Sequence, residues 1–366
     1  MNKQINEVTG LCVKCKLCLE ECEFLKGIFK NPEELVERFR IGDFKEEPRV
    51  PYSCNLCDLC ESVCPSELNL GDIFLELRQQ MVEEGLGPLP AHKRFVERDQ
   101  EWVLSDSFSL SLADPSANGC PRVFFPGCNL AGYSPSLVLK TYDYLRKKLP
   151  GTGIILGCCG APTRELGEET EFQKIMKNIE SEMEKLGASE LIVACPYCFY
   201  TFEKYGPWFQ VKSLYELMEE IGLPKVAKNH DYIFSLHDPC RTRWNEKMQD
   251  SVRVLISKMG YQIEEMKYSR ELTRCCGAGG QMYFADFSLG KRITKHRGEE
   301  ASHDILTYCA SCRETLSREK PAIHVLDLIF NPNWESDRLK PSNNASTRKE
   351  NQAKVRGTIQ ERYARP

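Results

Sequence analysis

The chain has 366 residues, of which 41% are hydrophobic and 28% charged, a composition typical of soluble globular proteins with buried cores. Its formal net charge of -4 argues against a general nucleic-acid-binding protein, which would usually be strongly basic. The polar N-terminus predicts no export signal, and no apolar run reaches the length of a membrane span. We therefore expect a cytoplasmic protein, with peripheral docking on the inner face of a membrane left open.

The first predicted unit, residues 1–86, holds eight cysteines in two runs of the form C-x-x-C-x-x-C-x-x-x-C. A helix is predicted between the runs, with Asn31 as its N-cap and Pro32 at its first position. A second helix, predicted over 72–84, carries apolar residues at helical spacing. Residues 87–119 are predicted to be a connector that contains a charged helical piece.

From residue 120 onward, short apolar runs alternate with amphipathic stretches, which predicts an α/β fold. The strands are predicted at 122–125, 153–156, 191–194, 233–236 and 304–308, and helices near 135–148, 168–186 and 246–259. The C-terminal tail, 331–366, is polar and without periodicity, so we expect it to be largely disordered.

Two segments of this region, 120–230 and 231–330, repeat one order of cysteines. Each has a single cysteine, then an adjacent pair followed by glycine, then a C-x-x-C motif. The first-repeat cysteines are Cys128, Cys158, Cys159, Cys195 and Cys198, and the second-repeat cysteines are Cys240, Cys275, Cys276, Cys309 and Cys312. Several of these thiols directly follow predicted strands, and ligands of open α/β sheets gather at the carboxyl ends of strands. The five thiols of each repeat are therefore expected to converge.

The 19 cysteines favour metal ligation over disulfides, because they cluster in tight repeats within a long chain that lacks an export signal. A cubane [4Fe-4S] cluster needs four thiolates, and in two-cluster ferredoxins the fourth cysteine of each run serves the other cluster. The cluster-one cysteines are then Cys12, Cys15, Cys18 and Cys64, and the cluster-two cysteines are Cys54, Cys57, Cys60 and Cys22. Glu23 stands where the usual run has proline, whereas Pro65 is present. Zinc is the alternative metal.

The repeated motifs identify a family. Cys158-Cys-Gly160, Cys195-Pro-Tyr-Cys198, His237-Asp-Pro-Cys240 and Cys275-Cys-Gly-Ala-Gly-Gly280 resemble the CCG (cysteine-rich) domains of heterodisulfide reductase. Two such domains after a two-cluster ferredoxin domain resemble the D subunit of that enzyme, which amounts to a fusion of the C-type and B-type subunits. The resemblance covers about 1–330 and implies an α+β multidomain fold, with an α-helical ferredoxin domain followed by two tandem Rossmann-like α/β CCG domains.

The same resemblance implies the cofactors and the activity. In that family the CCG domains carry non-cubane [4Fe-4S] clusters that cleave the disulfide of coenzyme M and coenzyme B. We therefore expect two ferredoxin-type clusters and up to two CCG-type clusters here. An ordinary cubane or a zinc site with one spare thiol remains an alternative for each set of five.

Several residues near these sets have a predicted role of their own. Gly277, Gly279 and Gly280 would let backbone N–H groups approach cluster sulfurs. His237 could donate a proton or a hydrogen bond near the cluster, or could be structural. Cys120 falls outside the pattern and is expected to be a buried or inert thiol, with a ligand role as the alternative. A basic stretch formed by Lys291, Arg292, Lys295 and Arg297 is predicted to be a solvated face, with an anionic substrate or a partner subunit as the alternative.

The leading hypothesis is an iron–sulfur oxidoreductase subunit that passes electrons through the ferredoxin-type clusters to a disulfide or thiol substrate at the CCG clusters. The alternative is an electron-relay subunit, resembling those of glycolate, lactate and glycerol-3-phosphate dehydrogenases, that serves a quinone or another carrier. The sequence has no dinucleotide fingerprint, so a flavin or NAD site is expected in another subunit, a flavoprotein or other redox partner. A membrane-associated quinone or cytochrome partner is left open. A zinc-stabilised interaction protein is a third hypothesis.

Overall fold

The computed structural model describes residues 3–41, 43–224 and 232–364. The N-terminal segment is helical, with no strand among its described residues. Its helices are α1 (Lys3–Leu11), α2 (Leu17–Glu20), α3 (Glu23–Ile28), α4 (Pro32–Ile41), α5 (Arg49–Tyr52), α6 (Leu59–Ser62) and α7 (Leu70–Glu83).

Two of these helices begin at side-chain caps, and the cap of α4 is the one that the sequence predicts. Asn31 accepts a hydrogen bond from the amide of Glu34 at 2.9 Å, which satisfies a free N–H group at the start of α4. Asn69 accepts from the amide of Gly71 at 2.8 Å at the start of α7. Helix α7 buries one face in an apolar core formed mostly by the N-terminal segment.

The connector is more structured than predicted. It forms α8 (Pro90–His92), a π-helical turn (Lys93–Glu97), α9 (Arg98–Leu104) and strand β1 (Leu110–Leu112). Strand β1 joins the first sheet as its antiparallel edge strand. The connector therefore contributes part of the first repeat's sheet.

The first repeat forms a five-stranded sheet in the order β1-β3-β2-β4-β5, and every pairing except that of β1 is parallel. Its elements are β2 (Arg122–Phe125), α10 (Cys128–Tyr133), α11 (Pro135–Lys148), β3 (Thr152–Leu156), α12 (Ala161–Glu165), α13 (Glu169–Leu186), β4 (Glu190–Val193), α14 (Pro196–Tyr205), β5 (Gln210–Ser213) and α15 (Leu214–Ile221).

The second repeat forms a four-stranded, all-parallel sheet in the order β7-β6-β8-β9. Its elements are β6 (Ile233–His237), α16 (Glu246–Lys258), β7 (Gln262–Glu265), α17 (Phe287–Glu299), β8 (Ile305–Thr307), α18 (Ala310–Leu316), β9 (Ala322–His324) and α19 (Val325–Phe330). Setting β1 aside, both sheets place the second strand of the repeat first, then the first, third and fourth. The shared order supports duplication, and it confirms the prediction of a fold that mixes helices with parallel sheets.

The prediction that the tail is disordered was wrong. Residues 331–364 form α20 (Trp334–Asp337) and the long helix α21 (Ala345–Tyr363). Val355 and Ile359 of α21 are fully buried against the first repeat. The tail lacks an obvious apolar stripe because its buried face combines these two residues with Gln352 and Tyr363. Packing against the domain, rather than an amphipathic pattern, holds the helix in place.

Candidate iron–sulfur sites

The cluster-one cysteines meet in the N-terminal segment. Cys12, Cys15, Cys18 and Cys64 line a single cavity. Burial raises the pKa of the Cys18 thiol to about 12, and the nearby thiol of Cys64 adds to the shift. The fourth cysteine of the second run therefore approaches the first run, as the ferredoxin rule predicts.

The cluster-two cysteines meet in a neighbouring cavity. Cys22, Cys54, Cys57 and Cys60 line it together with Cys275 of the second repeat. Burial raises the pKa of Cys22 to about 12, with a further contribution from Cys57. Thiols with such pKa values are neutral at neutral pH, so a metal that binds them as thiolates must displace their protons.

The two cysteine runs have the same local backbone. Lys14 and Lys16 lie two and four residues after Cys12 and adopt φ angles of 60° and 66°. Leu56 and Asp58 take the same places after Cys54, with φ angles of 50° and 61°. Left-handed non-glycine residues are strained and persist where their surroundings demand them. Here they curl each loop so that its three thiols face one cavity, which fits a cubane cluster.

The first-repeat cysteines converge at the carboxyl ends of β2, β3 and β4. The sulfurs of Cys128 and Cys158 are 4.0 Å apart. Cys159 is within hydrogen-bonding distance of both Cys158 and Cys198, and Cys198 is in turn close to Cys195. The five sulfurs thus form a continuous buried group.

A glycine makes room for this convergence. Gly127 has a φ of 78°, and a Cβ at this position would lie 3.1 Å from the Cys195 Cβ and 3.2 Å from the Cys198 sulfur. Any side chain at Gly127 would therefore intrude on the thiols.

The second-repeat cysteines repeat this arrangement. Cys240 contacts Cys275, Cys275 contacts Cys276, and Cys276 contacts Cys312, which is close to Cys309. Hydrogen bonds from Cys275 and Cys312 lower the pKa of Cys276 to about 5. In both repeats the second cysteine of the adjacent pair, Cys159 or Cys276, lies between the first cysteine of the pair and the last cysteine of the C-x-x-C motif. Ligation of a cluster by either set remains a prediction.

The four sets lie next to one another. Leu70 lines both cavities of the N-terminal segment. Cys57 of the cluster-two set is close enough to Cys240 and Cys275 for their charges to interact. Cys195 of the first repeat lies within hydrogen-bonding distance of Cys309 of the second. The sets therefore follow the order cluster one, cluster two, second repeat, first repeat.

Side chains that the sequence analysis did not single out hold the N-terminal segment on the repeats. The Asn55 amide donates to the carbonyl oxygens of Gly277 and Gly279 at 3.3 and 3.0 Å. Arg243 donates from Nε and Nη2 to the carbonyl oxygen of Cys57 at 3.2 and 3.0 Å. Asn55 and Arg243 thus link the N-terminal segment to the second repeat, beside the cysteine sets of both. Gly279, predicted to let backbone N–H groups approach a cluster sulfur, also accepts a hydrogen bond from Asn55 through its carbonyl oxygen.

Arg241 is a cation at the junction of all three units, with only 9% of its side chain exposed. It forms ion pairs with Asp58 of the N-terminal segment and Glu165 of the first repeat, both at 3.2 Å. Its guanidinium also lies 4.8 Å from the ring centre of Tyr197 and 4.7 Å from that of Tyr200. The sequence showed only an arginine after Cys240, and no local pattern could have predicted these partners.

His237 belongs to the second-repeat site. A ring nitrogen of His237 and the sulfurs of Cys276 and Cys312 all lie within 4.8 Å of one another, and all three residues are buried. Burial, together with the positive charge of Arg297, lowers the pKa of His237 to about 3. The imidazole is therefore neutral.

Cys120 and the basic stretch of α17 lie outside the four cysteine sets. Cys120 is buried before β2, at the amino end of that strand and away from the first-repeat cysteines, and its thiol donates to the carbonyl oxygen of Arg122 at 3.4 Å. The basic stretch of α17 is solvated at Lys291, Arg292 and Lys295, but Arg297 is 1% exposed. The prediction of a solvated face was wrong for Arg297, because this guanidinium packs inward against His237.

Two protein-family models match this chain. A model of the 4Fe-4S dicluster domain matches residues 11–69, and a model of the cysteine-rich (CCG) domain matches residues 122–203 and 234–317. The chain joins one dicluster domain to two CCG domains. Each CCG match includes all five candidate cysteines of its repeat, and the dicluster match includes all eight cysteines of the two runs.

The similar curated proteins include subunits of archaeal reductases. The D subunit of dihydromethanophenazine:CoB–CoM heterodisulfide reductase from Methanosarcina mazei is 26% identical over 82% of this chain and 80% of its own. Its counterpart in Methanosarcina acetivorans is 25% identical over 80% and 77%. The B subunit of the CoM/CoB fumarate reductase from Methanothermobacter marburgensis is 25% identical over 82% of this chain and 66% of its own. The chain is thus an iron–sulfur electron-transfer subunit related to these proteins.

No helix within the described ranges is both long and apolar enough to cross a bilayer.

Proposed function

We propose that this chain is the iron–sulfur subunit of an oxidoreductase complex that exchanges electrons with a disulfide or thiol substrate at the CCG domains. The observation that carries the proposal is the unbroken succession of four cysteine sets, from cluster one to the first repeat. Electrons would enter at the dicluster domain, from a flavoprotein or another redox subunit. The names of the similar reductase subunits support a thiol–disulfide couple of the CoM/CoB type.

The residues present fit iron–sulfur clusters. Each cavity of the dicluster domain is lined by four thiols of that domain, three of which belong to one strained loop, and each repeat brings five thiols together. Cys12, Cys15, Cys18 and Cys64 would hold one cubane, and Cys22, Cys54, Cys57 and Cys60 the other. The five cysteines of each repeat exceed the four that a cubane needs, which favours a non-cubane form there. When bound, these groups supply one-electron carriers and iron that can accept a thiolate.

The chain's own residues would support the reaction by position and burial. Reduction of a disulfide takes two electrons and two protons, breaks one S–S bond and yields two thiols. Cys57 lies close enough to Cys275 for their charges to interact, and Cys195 contacts Cys309, so single electrons could be delivered in succession between neighbouring sets. Cys240 is the least buried of the ten CCG cysteines. A substrate would therefore approach on the side of Cys240.

A relay function is the second candidate, and the burial of the CCG cysteines favours it. Nine of the ten are buried, and burial suits an electron carrier at least as well as a site that must admit a substrate. In that case a partner flavoprotein would oxidise a substrate of the glycolate, lactate or glycerol-3-phosphate kind. The chain would then pass electrons to a quinone or another carrier, which could lie at the inner face of a membrane.

The deciding experiment uses anaerobically purified holoprotein, reduced with dithionite and freed of excess reductant. About sixteen irons per chain and a matching sulfide content are expected for four clusters. The heterodisulfide of coenzyme M and coenzyme B is then added, and cluster absorbance, EPR spectra and released thiols are followed. Reoxidation with two thiols formed per two electrons supports the proposal.

A matched pair of variants provides the control. Cys309→Ser should lose reoxidation by the disulfide, whereas Cys120→Ser, which changes a thiol outside all four sets, should keep it. Rapid reoxidation by a soluble quinone, with no reaction of the disulfide, would instead establish the relay function. Zinc without acid-labile sulfide would overturn both.

A further inference from the structure

The second-repeat site contains a buried imidazole, that of His237. Nε2 of His237 has no hydrogen-bond partner among the residues that the structure describes, and the side chain is completely buried. A buried polar group without a partner is costly, so a partner is expected once the site is filled. The sulfurs of Cys276 and Cys312 lie within 4.8 Å of a nitrogen of this ring.

The other ring nitrogen decides what Nε2 can do. Arg297 donates from Nε to Nδ1 of His237 at 3.0 Å. A guanidinium has only donors, so Nδ1 must be the unprotonated acceptor and the ring proton must lie on Nε2. Arg297 is itself fixed, because it also donates to Thr273 and pairs with Glu300. The tautomer is therefore set by geometry.

From this geometry we infer that His237 is a positioning residue of the second-repeat site, whose Nε2–H donates a hydrogen bond to a cluster sulfur or a cysteine ligand. The inference rests on the proposed cluster at the second-repeat cysteines. The distances from His237 to Cys276 and Cys312 would allow a shared metal ion. His237 is nevertheless not an iron ligand, because Nε2 carries the ring proton and Nδ1 accepts the hydrogen bond from Arg297. Hydrogen bonds to cluster sulfurs stabilise the more negative, reduced state and raise the reduction potential.

The first repeat lacks this donor. His237 precedes Cys240 by three residues, and Phe125 precedes Cys128 by the same interval. Phe125 is fully buried and packs edge-on against Phe202, with ring centres 5.3 Å apart. The duplication thus produced two similar sets of thiols, of which only the second faces an imidazole N–H at this position. His237 therefore makes the second-repeat site easier to reduce than it would be without the donor.

The test compares anaerobic holoprotein with His237→Gln and His237→Leu. Glutamine can accept from Arg297 through its oxygen and donate through its amide, whereas leucine can do neither. We expect His237→Leu to shift the midpoint potential of one CCG cluster to a more negative value, and His237→Gln to restore most of the loss. His303→Gln, at a partly exposed histidine paired with Glu264, is the control and should change nothing.

Two spectroscopic readouts separate a donor from a ligand or a structural residue. With ¹⁵N-histidine, pulsed EPR of the wild type should show only a weak nitrogen coupling at the second-repeat cluster. An exchangeable proton coupling should be present in the wild type and lost in His237→Leu. A strong nitrogen coupling that His237→Gln removes would show ligation and overturn the inference.

An unchanged potential and proton coupling in a folded, iron-loaded His237→Leu would also overturn it. If His237→Leu fails to load iron, the ¹⁵N and exchangeable-proton measurements on the wild type decide alone. Failure of the disulfide reaction would refute the proposed function without affecting these readouts, which need only the cluster. Iron content that leaves the second-repeat site empty would overturn the inference itself.

Discussion

Cys195 and Cys309 contact each other across the boundary between the two CCG domains. They are equivalent residues, each being the first cysteine of a C-x-x-C motif that follows the third strand of its repeat. This contact brings the two sets of five cysteines together at the domain boundary. The sites of the two repeats therefore face each other and lie together rather than at opposite ends of the molecule.

The exchange of fourth cysteines in the dicluster domain can be tested by substitution. Cys64→Ser should perturb the cluster held by the first run, and Cys22→Ser the cluster held by the second, because each side chain lines the cavity of the other run. EPR of the reduced variants should show which of the two cubane signals changes. If Cys64→Ser altered the cluster of its own run, the crossed assignment would be wrong.

Arg78 should be essential for holding the units together. It is fully buried and donates to four carbonyl oxygens, at distances of 2.7 to 2.9 Å, which belong to Pro51, Cys54, Glu165 and Gly280. Arg78→Met would leave these buried acceptors without donors, at a cost of roughly 3–5 kcal/mol of stability. Thermal unfolding of the wild-type and Arg78→Met holoproteins would measure this loss of stability.

The control for Arg78 is Arg292→Met on the exposed face of α17, which should change stability by less than about 0.5 kcal/mol. Equal melting temperatures for the two variants would contradict a structural role of Arg78.

The C-terminal helix should contribute to stability rather than trail in solvent. Ile359 of α21 is fully buried, so Ile359→Ala should destabilise the protein by roughly 2–4 kcal/mol through lost burial and the cavity left behind. Lys354→Ala, on the exposed side of the same helix, should have almost no effect. Denaturant unfolding of both variants separates a packed helix from a disordered tail, for which neither substitution would matter.

The pH dependence of stability should include a contribution from Glu168. Burial, together with the charges of Glu97 and Glu171, raises the pKa of Glu168 to about 7. A raised folded-state pKa means that the folded state prefers the neutral carboxyl. Its contribution to stability is therefore present below the usual pKa of about 4.5 and is lost as the pH rises toward 7.

Glu168→Gln, which is neutral at every pH, should thus raise the melting temperature at about pH 8 and have little effect at about pH 5. An increase in melting temperature that is the same at both pH values would show that the charge of Glu168 is not the cause.

The elements that carry apolar runs were predictable from the sequence. The central strands β2, β3, β4, β6 and β8 lie where the runs of Val, Ile, Leu and Phe predicted them. The strands β5 and β7 were missed, because both are edge strands with mostly polar or exposed residues. Strand β9 was missed as well, because its three residues are too few to show the alternation of apolar and polar side chains that predicts a strand. The helix α21 was missed because its buried face mixes polar and apolar side chains.

The grouping of the cysteines was largely contained in the sequence, since C-x-x-C spacing and strand ends determine which thiols can meet locally. The order of the four sets was not, because it depends on tertiary proximity such as that of Cys57 to Cys240. The tautomer of His237 likewise depends on Arg297, 60 residues away.

By itself the sequence determined which thiols are available and how they are spaced, because local backbone geometry acts over a few residues. Only the tertiary structure decided which set lies next to which, and which buried cations join the domains. Those contacts bring together residues that are far apart in the chain, as Cys195 and Cys309 are, and no local pattern specifies them.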